Sequence, residues 1–69
     1  MTNKPQLLAS AGTLEDIGAL IARFYGGEAK PLRELGSGIW ELLRAEGKDA
    51  LKGVRVVLRA GRYRFEMLA

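Results

Sequence analysis

The chain contains no cysteine and no histidine. The first absence excludes disulfides, thiolate zinc sites and thiol nucleophiles. The second excludes imidazole metal ligands and serine–histidine triads. Only two prolines and five aromatic residues (two Phe, two Tyr, one Trp) occur among 69 residues. No apolar run approaches the roughly 18–20 residues of a membrane-spanning helix, so no membrane partner is expected. The stretch from Met1 to Ala11 faintly mimics a signal peptide, but its apolar region is shorter than the about 7–15 residues one needs. The expected location is the cytoplasm.

What is present is a 7.5 kDa chain that is 48% hydrophobic and 28% charged. That composition suits one small folded domain and leaves no room for a second. A chain of this size buries only about 60% of the surface its unfolded form exposes. A homodimer that extends the core is therefore one expected partner.

The net charge of +3 is unevenly spread. Residues 1–47 hold five Lys/Arg against six Asp/Glu, whereas residues 48–69 hold six against two. The basic character belongs to the C-terminal third. A basic patch of this kind points to nucleic acid or to an acidic protein surface; the plain reading is solubility charge.

Periodicity organises the chain. Residues 1–12 carry little of it and read as a loose N-terminal arm, with a short strand at most over Gln6–Ser10. Thr13-Leu14-Glu15-Asp16 forms a capping box, and its two acids favour the positive end of a helix dipole. Leu14, Ile17, Leu20, Ile21 and Phe24 then recur at helical spacing, and Gly26-Gly27 ends the run. The spacing predicts a helix over about 13–25. Ala29–Leu35 reads as a short edge strand, and Gly36-Ser37-Gly38 as a turn. Residues 39–46 fit either a strand or a helix; Ile39-Trp40 favours the strand.

Residues 54–68 alternate on both sides of Ala60-Gly61. With Arg59 opposite Arg62, one face holds Val54, Val56, Leu58, Tyr63, Phe65 and Met67. The other holds Arg55, Val57, Arg59, Arg62, Arg64 and Glu66. A one-residue slip would destroy this agreement. Ala-Gly is not the preferred dipeptide of a two-residue hairpin turn, so a four-residue loop is expected. The predicted fold class is α+β. One N-terminal helix covers an antiparallel meander of three or four strands, and residues 13–69 form the domain.

The candidate site is the arginine face of this hairpin. Arg55, Arg59, Arg62 and Arg64 project together, with Arg55 placed to pair with Glu66. Like charges directly opposite, as at Arg59 and Arg62, are destabilising unless they splay into water or meet an anion. Trp40 is a candidate apolar anchor for a partner. Tyr63 and Phe65 fall on the apolar face with the core, which weakens a base-stacking platform. The carboxylates are scattered, with Glu41 and Glu46 placed to pair with Arg44 or Lys48. No hydroxyl sits beside a base, so no catalytic residue, metal ligand or cofactor is predicted.

Leu32-Arg33-Glu34-Leu35-Gly36-Ser37-Gly38-Ile39-Trp40-Glu41-Leu42, followed by Val54-Arg55-Val56-Val57-Leu58 and Gly61-Arg62-Tyr63, resembles the sheet of RelE/HigB-type toxins. The resemblance covers residues 32–63, about half of the chain, and its motif is mostly structural. It departs from the family where Leu43 replaces an arginine and Val54 replaces a tyrosine. The resemblance implies a curved sheet with a basic face, and ribosome-associated mRNA cleavage with Arg55 and Arg62 as the nearest RNA contacts. The leading expectation is different: a non-enzymatic binding protein that regulates or inhibits a macromolecular partner. Small phage and mobile-element regulators, including anti-CRISPR-type proteins, are of this kind. The expected partner is a protein or protein–nucleic acid complex with an acidic surface; RNA or DNA is the alternative.

Overall fold

A computed structural model describes residues 4–44 and 49–68. In chain order the elements are β1 (Gln6–Ala11), α1 (Leu14–Phe24), β2 (Leu32–Gly36), β3 (Ile39–Leu42), β4 (Val54–Arg59) and β5 (Arg62–Met67). All five strands join one antiparallel sheet in the order β1-β5-β4-β3-β2. The fold is α+β, with five strands rather than the three or four expected. The added strand is β1, so residues 6–11 of the expected loose arm belong to the sheet. Residues 45 and 46 of the ambiguous 39–46 stretch lie outside the described residues; 39–42 is strand.

Helix α1 begins and ends as its sequence dictates. The Thr13 hydroxyl accepts the Asp16 backbone N–H at 3.1 Å. At the other end Gly26 and Gly27 take positive φ angles of 73° and 94°. Their N–H groups donate to the carbonyls of Arg23 and Ala22, the paired bonds of a Schellman stop.

The helix packs on β1 and β5. Its Ile17 and Ile21 are fully buried with Leu42, Val56 and Phe65, and these five side chains are the centre of the core. Phe24 departs from the expected stripe. It is the last helical residue and stays 51% exposed, with only its ring edge against Phe65 at 5.3 Å between centroids.

The hairpin register has Arg59 opposite Arg62, as the alternation requires. The loop is shorter than expected: Ala60 and Gly61 alone connect the strands, with φ of 52° and 78°. Positive φ at both positions is the type I′ geometry, whose twist matches that of the flanking strands. The sheet imposes this turn on an alanine that resists it. Asparagine tolerates the left-handed conformation better. Ala60→Asn is therefore expected to stabilise the protein by about 0.5–1 kcal/mol, a rise in Tm of about 2–8 °C. An unchanged or lower Tm by calorimetry would contradict the assignment of strain to this turn.

The second tip, Ser37-Gly38, has the same positive φ pair, 56° and 72°. The two tips are joined, since the Leu58 N–H donates to the Gly38 carbonyl at 2.8 Å. A Cβ on Gly38 would come within 3.5 Å of Leu58, which adds a close approach to the conformational demand for glycine there.

Candidate binding face

Strand alternation gives the sheet two unlike faces. One meets α1. The other carries Arg33 from β2, Ile39 and Glu41 from β3, Arg55, Val57 and Arg59 from β4, and Arg62, Arg64 and Glu66 from β5. Ser10 of β1 stands beside Arg64 on the same face. Five arginines thus share a surface with two glutamates, and both glutamates are already engaged.

Glu66 is the anchor. It is only 3% exposed although it lies on the open face, because the arginine stems on either side cover it. Arg55 Nε donates to one carboxylate oxygen at 3.2 Å, and Arg64 Nε donates to the other at 3.1 Å. Burial alone would raise the Glu66 pKa. Hydrogen bonds from Arg64 and Arg55, together with their positive charges, outweigh it and hold the carboxyl below its ordinary 4.5. Both guanidinium groups are held through Nε by this one carboxylate.

The other arginines are held differently. Arg33 pairs with Glu41 directly across β2 and β3. Of the partners expected for Glu41, Arg44 makes no ion pair among the described residues and Lys48 lies outside them. Arg62 Nε donates to Ser10 Oγ at 3.0 Å, which draws its side chain toward β1. The cross-strand repulsion between Arg59 and Arg62 is thereby relaxed. Arg59 is exposed and makes no hydrogen bond or ion pair among the described residues. The uncompensated positive charge is concentrated at the turn end of the hairpin.

The structure brings Arg55, Arg59, Arg62 and Arg64 together and leaves Trp40 apart. Trp40 lies on the helix side of the sheet, half-buried, with its ring 5.4 Å from that of Tyr63 in an edge-on contact. Phe65 is in the core, and Phe24 and Tyr25 pack against it. No aromatic ring therefore lies on the arginine face. Sequence reasoning missed Ser10 and Arg33 as members of this surface. Ser10 carries no signal of its own, and the register that brings Arg33 to Glu41 passes a bulge between Glu34 and Gly36.

Among the described residues no group of three or more acidic side chains is placed to hold a metal ion. No helix among them is long and apolar enough to cross a membrane. The chain matches no family model, no curated protein and no solved structure.

Proposed function

We propose that this protein is a non-enzymatic binding module, one that regulates or inhibits a macromolecular partner by laying its arginine face on an acidic surface. One observation carries the reading. An otherwise open sheet face presents guanidinium groups pre-set by a buried carboxylate, with Arg59 and Arg62 left uncompensated at its tip. Guanidinium groups recognise carboxylates bidentately and lose less freedom on binding when they are already positioned. The absence of aromatic rings from this face favours an acidic protein surface over single-stranded nucleic acid, which such modules hold by stacking.

The test is capture of partners from a lysate, with and without nuclease, by the native chain and by the Arg59→Glu, Arg62→Glu double variant. The native chain is expected to retain one protein after nuclease treatment. The double variant should bind it at least about tenfold more weakly, since two attractive charges become repulsive. Equal retention by the two proteins would refute the role of the face. Recovery that collapses with nuclease would transfer the face to nucleic acid, with the steep salt dependence of counterion release. Growth arrest on expression, abolished by Arg62→Ala, would favour the toxin-like reading.

A further inference from the structure

The two edges of the sheet differ in a way that selects a partner for one of them. Edge strand β2 has Arg33 and Glu34 at its middle, follows Pro31, and is broken by a bulge. Antiparallel pairing of β2 with its own copy about those residues would set like charge against like, which is a common protection of sheet edges. Edge strand β1 also follows a proline, Pro5, and also carries a bulge, but it sets no charge against a copy of itself. Its sequence, Gln6-Leu7-Leu8-Ala9-Ser10-Ala11, holds no charged residue and no proline. Its one interruption is a bulge between Leu7 and Ala9, and Ala9–Ala11 beyond it pairs with β5 in regular register. The outward backbone groups of this regular stretch make no hydrogen bond to other segments among the described residues.

We infer that β1 is a self-association seam: two copies of this chain pair their β1 strands antiparallel, centred on Ser10, and form one continuous ten-stranded sheet. In that register Ser10 faces the partner's Ser10, and Ala9 faces the partner's Ala11. Small side chains meet small side chains, and no charge opposes another. The twofold axis stands normal to the sheet, so residues of the same face stay on the same face in both copies. The two helices therefore share one side, and the two arginine faces share the other.

The arginines do not forbid this arrangement. Arg62 and Arg64 lie on β5, one strand in from the seam. Their backbones are separated from those of their counterparts by three strand spacings, roughly 14 Å. The Arg62 side chain, however, reaches over β1 to Ser10 Oγ at 3.0 Å, so the two Arg62 charges flank the seam. The Arg64 pair lies beyond the Debye length of about 8 Å at physiological ionic strength, whereas the exposed Arg62 pair repels across the seam, so the dimer should tighten as salt is raised. The small core supplies a reason for the association, because a domain of this size gains proportionately from any surface it removes from water.

The consequence for binding rests on the function proposed above; the seam itself does not. A dimer doubles the arginine array on one continuous surface, so its acidic partner would span both copies.

Because the chain has no cysteine, single substitutions report the seam directly. Directly opposed residues in an antiparallel pair have Cα atoms about 4.5–5.5 Å apart, within the range a disulfide spans. Ser10→Cys is expected to give an intermolecular disulfide rapidly under mild oxidation. Leu35→Cys, equally available on the exposed β2 edge, should cross-link at least about tenfold more slowly. Light scattering on the unmodified chain should report twice 7.5 kDa as concentration rises from micromolar to millimolar. A mass of one chain throughout that range would overturn the inference. So would a dimer in which both cysteine variants cross-link equally fast, because that dimer would not use β1. Partner capture by the arginine face is measured separately, so failure of the seam leaves that test intact.

Discussion

Phe65→Ala is expected to remove a large share of the protein's stability, about 3–5 kcal/mol. Phe65 is wholly buried and lies where three parts of the core meet. It pairs with Ala9 on β1 and with Val56 on β4, and it packs against Phe24 and Tyr25 of the helix end. Truncating a buried phenylalanine to alanine costs about 3–5 kcal/mol, from lost transfer energy and the cavity left behind. At about 0.05–0.15 kcal/mol per residue, a chain this size has roughly 3–10 kcal/mol in total. Urea unfolding followed by circular dichroism measures the loss. Phe65→Leu, which keeps most of the volume, should stay folded with a smaller drop in midpoint. An alanine variant with the native midpoint would show that the core is centred elsewhere.

The second large effect is expected at Glu66. Glu66→Gln keeps the shape and one carbonyl acceptor but removes the charge that holds Arg55 and Arg64. A hydrogen bond to a charged group is worth about 1.5–3 kcal/mol, and two are altered here. The arginine side chains are 30% and 36% exposed and can turn into water, which reduces the loss to about 2 kcal/mol. The pH dependence separates this from a general packing defect. The folded-state pKa of Glu66 is lowered, so its contribution is complete above the unfolded value near 4.5 and is lost as pH falls through the folded value. The native chain should therefore lose its advantage over Glu66→Gln below about pH 4.5, and the two stability curves should converge in acid. Curves that stay parallel down to pH 2 would mean that Glu66 is not the anchor of the arginine face.

These two residues also mark where sequence reasoning reaches and where it stops. Phe65 was legible as core because β4 and β5 alternate independently and agree on one register only. The helix was legible because Thr13, the Ile17–Ile21 stripe and Gly26-Gly27 each specify a different part of it. Glu66 was legible as a partner for Arg55, but not as a buried residue. Its burial comes from Arg64, two positions away on its own strand, folding over the same carboxylate from the other side. Strand β1 was hardly legible at all, since Gln6–Ala11 has no β-branched or aromatic residue and owes its conformation to the ladder β5 offers. The turn at Ala60 was misread for a related reason. Local preference argued for a longer loop, but two well-matched strands outweigh the strain of one alanine. Trp40 was legible only as a core residue or a candidate anchor, because its place in the sequence does not say which face of the sheet it joins. Its position opposite Val56, on the helix side, follows from the short β3–β4 register.

The pairing of β1 with β5 also bears on the order in which the protein can assemble. Gln6 has its cross-strand partner in Met67, and Ala11 has its in Tyr63. During synthesis the helix and the β2–β3 hairpin can form from neighbouring residues as they emerge. Strand β1 and the inner side of α1 must wait for β5, which follows nearly everything else described here. The waiting segment is apolar and uncharged, and contacts so distant in sequence are slow to form. The final closure of the sheet is thus the step most open to interception, by another nascent copy or by a chaperone. Substitutions along β1 should change the yield of folded protein in cells more than they change its stability once folded.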